Sequence, residues 1–510
     1  MADKILVLDF GSQYSQLITR RIREHNVFSE LVHCHTAPPS EPDKDLKGIV
    51  LSGGPSSVHD KGAPRLDPGW LELGVPILGI CYGLQLTTMM LGGTVKRAQN
   101  REYGPAMLDI KKKSALLKDV SKKSKVWMSH GDSVIKLADG FKTVGSTSSL
   151  KHAVIENVKR KMYAVQFHPE VAHTEFGKEI LANFLFDICG AKANWNAASF
   201  VKTEVARLKS ELGNSKVLCA LSGGVDSSVT AMLLHKAIGK NLTCMFINNG
   251  LLRLNEAQDV INSFKKLKLN LKYIDSSELF LRRLKGVADP EKKRKIIGRT
   301  FIEVFTKEAK KLGKIKYLAQ GTLYPDLIES ISFKGPSVTI KSHHNVGGLP
   351  KRMGLKLVEP LRELFKDEVR AVGKKLGLSK YLTMRHPFPG PGLAVRIIGS
   401  ITKERLDLLR LADNIFITEL EKNKLYDKTW QAFCVLLPVK SVGVMGDERT
   451  YENALAIRAV TSVDAMTADW ARLPYEFLAH VSNRIINEVK GINRVTYDIS
   501  SKPPATIEWE

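Results

Sequence analysis

Two short stretches of this chain hold side chains whose types and spacing could do chemistry. The first is Ser222-Gly223-Gly224-Val225-Asp226-Ser227-Ser228, directly after the apolar run Val217–Leu221. Its glycines let the backbone turn tightly and bare its N–H groups, and its three serines add hydroxyl donors. A helix starting near Ser227 adds the partial positive charge of its N-terminus. Such a nest binds an anion, and a nucleotide phosphate suits it best. The Gly-Lys-Ser/Thr ending of the common P-loop is missing, so this is a different phosphate loop. The second stretch is Gly79-Ile80-Cys81-Tyr82-Gly83-Leu84-Gln85, which follows an apolar strand and opens a helix. A cysteine on such an elbow is held out of the sheet, and the helix N-terminus favours its thiolate. A thiol nucleophile needs a base, and the base needs an orienting group. Gln166-Phe167-His168-Pro169-Glu170 offers both. Taken singly, a strand cysteine is core and a His-x-Glu pair is surface; taken together, Cys81, His168 and Glu170 form a set for acyl transfer.

These side chains must be positioned by alternating strands and helices. Ile5–Leu8, Gly48–Leu51, Ile77–Ile80 and Met162–Val165 read as strands, with helices around Gln13–His25 and from Tyr82. This rhythm closes near Gly190. After a polar stretch it resumes, with a helix at about Phe200–Leu212 and strands at Val217–Leu221, Leu242–Ile247, Leu271–Ile274 and Tyr317–Gln320. The basic run Asp289–Lys295 is expected to be a mobile lid over phosphates. A Pro/Gly cluster at His386–Gly392 marks a further boundary. Beyond it come strands at Ala394–Ile398, Ala432–Leu437, Val439–Val444, Ala454–Val460 and Arg494–Ile499, with two amphipathic helices. The expected fold class is α/β: two successive mainly parallel α/β domains at 1–190 and 199–384, a linker at 191–198, and a small α+β domain at 385–510.

Length and composition agree with about three soluble domains: 510 residues, 43% hydrophobic and 25% charged. No apolar run approaches the roughly 20 residues of a membrane span, and the first residues lack a secretory pattern, so a cytoplasmic protein is expected. The net charge of +24 is concentrated in residues 191–384, which carry 36 basic and 17 acidic side chains. That field would attract ATP or a nucleic acid, although runs such as Lys265-Lys266 read equally as solvated surface. The six cysteines include no Cys-x-x-Cys pair, which argues against a zinc ribbon or a disulfide framework. His33-Cys34-His35 looks like a metal cluster, but alternation along a strand points neighbours to opposite faces. No metal ligand is therefore assigned.

The 222–228 loop resembles the pyrophosphate loop of ATP pyrophosphatases, enzymes that adenylylate a substrate oxygen. The elbow and the His168/Glu170 pair resemble the class I glutamine amidotransferases. That likeness implies a Cys81–His168–Glu170 triad releasing ammonia from glutamine, with the N–H groups of Gly54 (in Ser52-Gly53-Gly54-Pro55) and Tyr82 as the oxyanion hole. Trp127–Asp132 resembles a glutamine-contacting stretch, with His130 either a contact or a turn residue. Three further motifs extend the likeness to the last residue: Arg385–Leu393, Ser441–Asp447 and Lys502–Glu510. In this order the whole chain resembles the glutamine-hydrolysing GMP synthetases. The resemblance implies that XMP, ATP and glutamine are the substrates and that Mg²⁺ accompanies ATP. ATP would sit on Ser222, Gly223, Gly224, Val225, Asp226, Ser227, Ser228 and Lys366. XMP would sit on Arg294, Gln431, Arg494, Lys502, Ile507 and Glu508. It also implies a homodimer formed through the C-terminal domain.

Some readings stay open at this level. Lys366 is also an ordinary exposed helix lysine. Asn248 stands where the family often has Asp, which removes a carboxylate near the nucleotide. The rival function is an RNA-modifying or other adenylylating enzyme fused to an amidase; no extra cysteines or thiolation motif support it, which argues against nucleic acid as a partner.

Overall fold

The computed structural model describes residues 2–12, 14–331, 354–445, 448–462 and 467–510. Gly446 and Asp447, the last two residues of the Ser441–Asp447 motif, lie outside the described residues. The chain forms two compact units, Met1–Phe200 and Val201–Glu510.

In the first unit, β1 (Lys4–Asp9), β2 (Phe28–His33), β3 (Leu46–Leu51), β4 (Ile77–Ile80) and β9 (Met162–Val165) pair in parallel. Ile5–Leu8 and Ile77–Ile80 are buried throughout, as strands covered on both faces require. Helices α1 (Ser15–Glu24), α2 (Tyr82–Met90) and α3 (Gly177–Ala182) accompany them. The sheet then continues antiparallel through β8 (Val154–Asn157), β7 (Lys142–Ser146), β5 (Thr94–Ile110) and β6 (Lys123–Lys136), in the order β2-β1-β3-β4-β9-β8-β7-β5-β6. Because β3, β4 and β9 are neighbours, their carboxyl ends bring Ser52–Gly54, Cys81 and Gln166–Glu170 to one edge.

In the second unit, α4 (Ala197–Leu212) leads to an all-parallel sheet. Its strands β10 (Val217–Leu221), β11 (Leu242–Asn248), β12 (Leu271–Asp275), β13 (Tyr317–Ala319) and β14 (Lys356–Val358) lie in the order β12-β11-β10-β13-β14. The chain winds outward from β10 in both directions, so the 222–228 loop sits at the switch point where such sheets bind ligands. Helices α5 (Val225–Ile238), α6 (Glu256–Lys266), α7 (Ser277–Leu284), α8 (Pro290–Lys310), α9 (Tyr324–Ile331) and α10 (Lys366–Lys375) follow the strands. The last part is a ribbon of β15 (Gln431–Met445) and β16 (Glu448–Thr461), extended by β17 (Asp469–Trp470) and by β18 (Ile492–Tyr497). Two helices, Lys403–Lys422 and Tyr475–Glu488, pack on it. No helix among the described residues is long and apolar enough to cross a membrane.

Three expectations change. The strand expected over Ala394–Ile398 is a 3₁₀ turn at Gly392–Arg396, with only Ile397 bridging to Leu436. The segment docks instead of extending: Leu393 N–H donates to Leu251 O at 2.8 Å, and a Cβ on Gly392 would meet that carbonyl at 2.4 Å. One continuous core joins Leu218, Phe280 and Phe305 to Leu393, Phe416, Leu455 and Ile485, so residues on both sides of position 384 share a single unit. The basic run Asp289–Lys295 is not a lid but the capped start of α8. Asp289 accepts from Lys292 N at 2.7 Å, and Lys293 is wholly buried against the carbonyls of Ala394 (3.1 Å) and Ile397 (2.7 Å) and the Glu510 carboxylate. Finally, β2 ends at His33, so alternation does not continue through Cys34 and His35. The ligand atoms of His33, Cys34 and His35 lie within 4.8 Å of one another.

Candidate active sites

Cys81 has φ 51° and ψ −100°, between the last residue of β4 and the first of α2. A non-glycine residue held there stores about 1–3 kcal/mol of strain, which the surrounding packing must enforce. The enforcement is visible: Cys81 N–H donates to Val165 O at 2.8 Å, and Gly83 N–H to Ser52 O at 3.2 Å. A Cβ on Gly83 would meet Leu51 O at 2.5 Å, so the helix approaches β3 as closely as only glycine allows. The thiol lies 3.5 Å from Ser129 O and accepts from Gln166 Nε2 at 3.6 Å.

His168 Nδ1 is 2.7 Å from Glu170 Oε1, with both side chains buried. Burial alone pushes the imidazole pKa down. The Glu170 charge and the hydrogen bonds to Cys81 and Glu170 outweigh it and hold His168 well above the usual histidine range. The His168 main chain is pinned by Trp127 O (3.1 Å) and Thr174 Oγ1 (2.6 Å), and Arg21 Nε binds Glu170 O at 3.0 Å. A Cβ on Gly53 would fall 3.0 Å from His168 Cε1 and 3.8 Å from Cys81 Cβ, so this glycine keeps the turn tight against both. Among the described residues the amides of Gly54 and Tyr82 have no protein acceptor. His130 is a strand residue and not a turn residue. It is buried in β6 with Nδ1 3.0 Å from Asp132 O, and desolvation lowers its pKa.

The phosphate nest is held open by its own serines. Ser222 N–H and Oγ bond Ser227 Oγ at 3.2 and 3.1 Å, Gly224 N–H donates to Ser222 Oγ at 3.3 Å, and Ser228 Oγ donates to Gly224 O at 2.7 Å. Gly223 has φ 76°, and a Cβ there would meet Val260 at 2.8 Å, so both conformation and space demand glycine. Val225 opens α5. Lys366, the first residue of α10, pairs with Asp226, which places its ammonium beside the 222–228 loop. Among the described residues, Asp226 Oδ1 is buried without a hydrogen-bond partner. The Asn248 side chain is held by its neighbours: Nδ2 donates to Tyr273 OH (3.2 Å) and Asp275 Oδ2 (3.3 Å), while Oδ1 accepts from Gly250 N–H at 3.0 Å.

Four of the six expected XMP residues gather around the C-terminal tail. Glu508 accepts from Gln431 Nε2 at 2.7 Å, Ile507 packs with Phe433 and Val435, and Arg294 Nη2 donates to Glu510 O at 2.6 Å. Arg494 is exposed on β18, with no described hydrogen bond to this group. Lys502 stands at a backbone bridge, its N–H donating to Ala468 O at 2.7 Å.

Sequence reading missed the residues that hold these loops. Arg396 is fully buried and grips Glu508 through Nε (3.1 Å) and Nη2 (2.9 Å). Arg385 joins the nest to α6, donating to Gly223 O at 3.2 Å and pairing with Glu256. Two residues on, Pro387 O accepts from Gln431 Nε2 at 3.2 Å, so one loop touches both the 222–228 turn and the group around the C-terminal tail. The only available signal was an arginine beside the Pro/Gly cluster; its partner, 129 residues away, was not readable.

Comparison with known proteins gives three family matches. Glutamine amidotransferase class-I matches residues 6–188, tRNA methyl transferase HUP domain matches 215–266, and GMP synthase C terminal domain matches 418–509. Among curated proteins, the GMP synthase [glutamine-hydrolyzing] of Aquifex aeolicus is 58% identical over 99% of this chain and 99% of its own length. Those of Maridesulfovibrio salexigens and Chlorobaculum tepidum are 57% and 59% identical, over 100% and 99% of this chain and 99% of each relative.

Proposed function

The chain belongs to the glutamine-hydrolysing GMP synthases, enzymes that aminate XMP to GMP with glutamine nitrogen, and from that premise we propose how its own residues divide the work. The Cys81 thiolate attacks the glutamine carboxamide. The N–H groups of Gly54 and Tyr82, which have no other acceptor among the described residues, receive the oxyanion. His168, held protonated by Glu170, hands its proton to the leaving nitrogen, then takes one from the water that releases glutamate. The observation that carries this reading is the buried His168–Glu170 pair beside a strained cysteine elbow, in the same chain as a serine-lined phosphate nest.

In the second unit, the nest and Lys366 hold ATP. XMP O2 attacks the α-phosphorus, pyrophosphate leaves, and ammonia then displaces AMP at C2. A carbonyl oxygen leaves poorly, whereas AMP leaves well. The orphan Asp226 Oδ1 suits a divalent cation, so Asp226 together with ATP phosphates would hold Mg²⁺. Bound there, Mg²⁺ would offset charge on the departing pyrophosphate. Gln431, Glu508, Ile507 and Arg294, with Lys502 and Arg494, form the XMP site; Arg396 keeps Glu508 in place for it. The RNA-modifying alternative is not favoured, since the curated relatives match from end to end.

The β15–β16 ribbon exposes Val439, Val442, Val444 and Tyr451, an apolar surface that supports pairing of two copies as a homodimer. All six cysteines are free thiols, which supports a reducing, cytoplasmic setting. The test is direct. Purified protein with XMP, ATP, Mg²⁺ and glutamine should consume XMP, followed by absorbance, and yield AMP and pyrophosphate. Formation of ADP and phosphate instead would reject the adenylylation step.

A further inference from the structure

The edge of the first sheet holds a cluster that neither catalytic reading uses. β2 is the outermost strand, its last residue His33 lies in register with Asp9 of β1, and the chain then turns. Three bonds pin that turn. Cys34 N–H donates to Asp9 O at 3.2 Å, Thr36 N–H to His33 O at 2.9 Å, and Trp70 Nε1 to Thr36 O at 2.9 Å. The result folds three consecutive residues around one point. The imidazoles of His33 and His35 lie 5.0 Å apart between centroids, both exposed, and the Cys34 side chain is buried between the turn and the core formed by Phe10, Leu51 and Tyr82. The three ligand atoms lie within 4.8 Å of one another.

The geometry points to a transition-metal site: we propose that His33, Cys34 and His35 bind one Zn²⁺ through one thiolate and two imidazoles. Around a tetrahedral zinc, with Zn–S about 2.3 Å and Zn–N about 2.0 Å, ligand atoms stand about 3.3–3.7 Å apart. The two imidazoles that would move to close the observed spacing are both exposed. Binding through His33 Nδ1 would displace the 3.3 Å bond that it accepts from His35 N–H. A thiolate with two imidazoles suits zinc better than magnesium or calcium, which take oxygen. Asp9 Oδ1 is occupied by Gly11 N–H (2.8 Å) and Ser15 Oγ (2.6 Å), and the fourth position is assigned to water. Such an ion would staple the end of the edge strand to β1. The very next residue, Phe10, donates its N–H to Ser52 Oγ at 3.1 Å and so holds the oxyanion turn.

The test uses full-length protein carrying Cys81→Ala, so that the catalytic thiol contributes nothing, with Co²⁺ as a coloured substitute for Zn²⁺. One equivalent of Co²⁺ should give a thiolate-to-cobalt charge-transfer band that Zn²⁺ bleaches. His33→Ala and His35→Ala, both on exposed side chains, should each weaken Co²⁺ binding at least tenfold, and Cys34→Ala should abolish the band. Zn²⁺ should also raise the unfolding temperature of the Cys81→Ala protein but not of its His33→Ala/His35→Ala derivative. No thiolate band in folded Cys81→Ala protein, or a band that survives loss of both histidines, overturns the proposal.

Discussion

At Cys81 the backbone is strained, the thiol is buried, and the base beside it is kept protonated by a carboxylate. Each property follows from a neighbour, so each can be removed separately. Cys81→Ala takes away the nucleophile of the first unit and leaves the residues of the second unit unchanged. Glutamine-driven synthesis should vanish while synthesis from added ammonium continues near the parental rate; failure of ammonium to rescue a folded variant would contradict two separate centres. Glu170→Gln removes the charge that raises His168. In the unfolded chain the imidazole titrates near 6.5, so the folded state binds that proton more tightly. The stabilisation is complete below that pH and is lost as pH rises through the folded value. Without Glu170 the protonated form should contract to lower pH. The alkaline limb of kcat/KM for glutamine should therefore move acidward, and kcat should drop by roughly 10²–10⁴. An unmoved limb would show that another group sets it. The triad and the nest were legible because elbow and nest are local patterns, complete within seven residues. Arg385, Arg396 and Glu256 were not, because an ion pair between distant segments leaves no trace in spacing.

Strand and helix boundaries were readable where apolar runs are short and bounded, as at β1, β4, β10 and β11. Reading failed where local pattern and tertiary contact disagree. Ala394–Ile398 is apolar enough for a strand, but Gly392 against Leu251 O forces a turn that buries it otherwise. The lysines of 289–295 suggest solvent, yet Lys293 enters the core because two carbonyls and Glu510 meet it there. Lys293→Met should accordingly cost about 3–5 kcal/mol, the penalty for leaving a buried charge alone. Lys293→Met/Glu510→Gln should recover part of that loss, as read by denaturant unfolding. A mobile lid would instead predict no change in stability. In the first unit, Gly83→Ala drives a methyl into Leu51 O and should destabilise by about 1–3 kcal/mol. It should also depress glutaminase more than ammonia-driven synthesis, and an unaltered melting curve with full glutaminase would show that the close approach is dispensable.

Two units with separate cores carry the two proposed centres, and the net charge of +24 is concentrated in residues 191–384, around the 222–228 loop. Ammonia made without an acceptor is wasted, so the amidase should be slow until ATP and XMP are bound. The structure removes the expected lid as the carrier of this coupling, because the start of α8 is already docked. Neutralising its exposed lysines, Lys292 and Lys295, should therefore leave any stimulation intact. What coupling requires is a difference in nucleotide affinity between two states of the amidase, and that difference is reciprocal. If ATP plus XMP tighten glutamine binding by some factor, glutamine must tighten nucleotide binding by the same factor, typically about 5–150-fold. Cys81→Ala makes the equality measurable, since it binds glutamine without consuming it. Calorimetric titration of glutamine with and without ATP and XMP, then of XMP in the presence of ATP with and without glutamine, should return equal factors above one. Equal factors of one, together with a glutaminase rate indifferent to both nucleotides, would mean that the units work independently and that unused ammonia simply escapes.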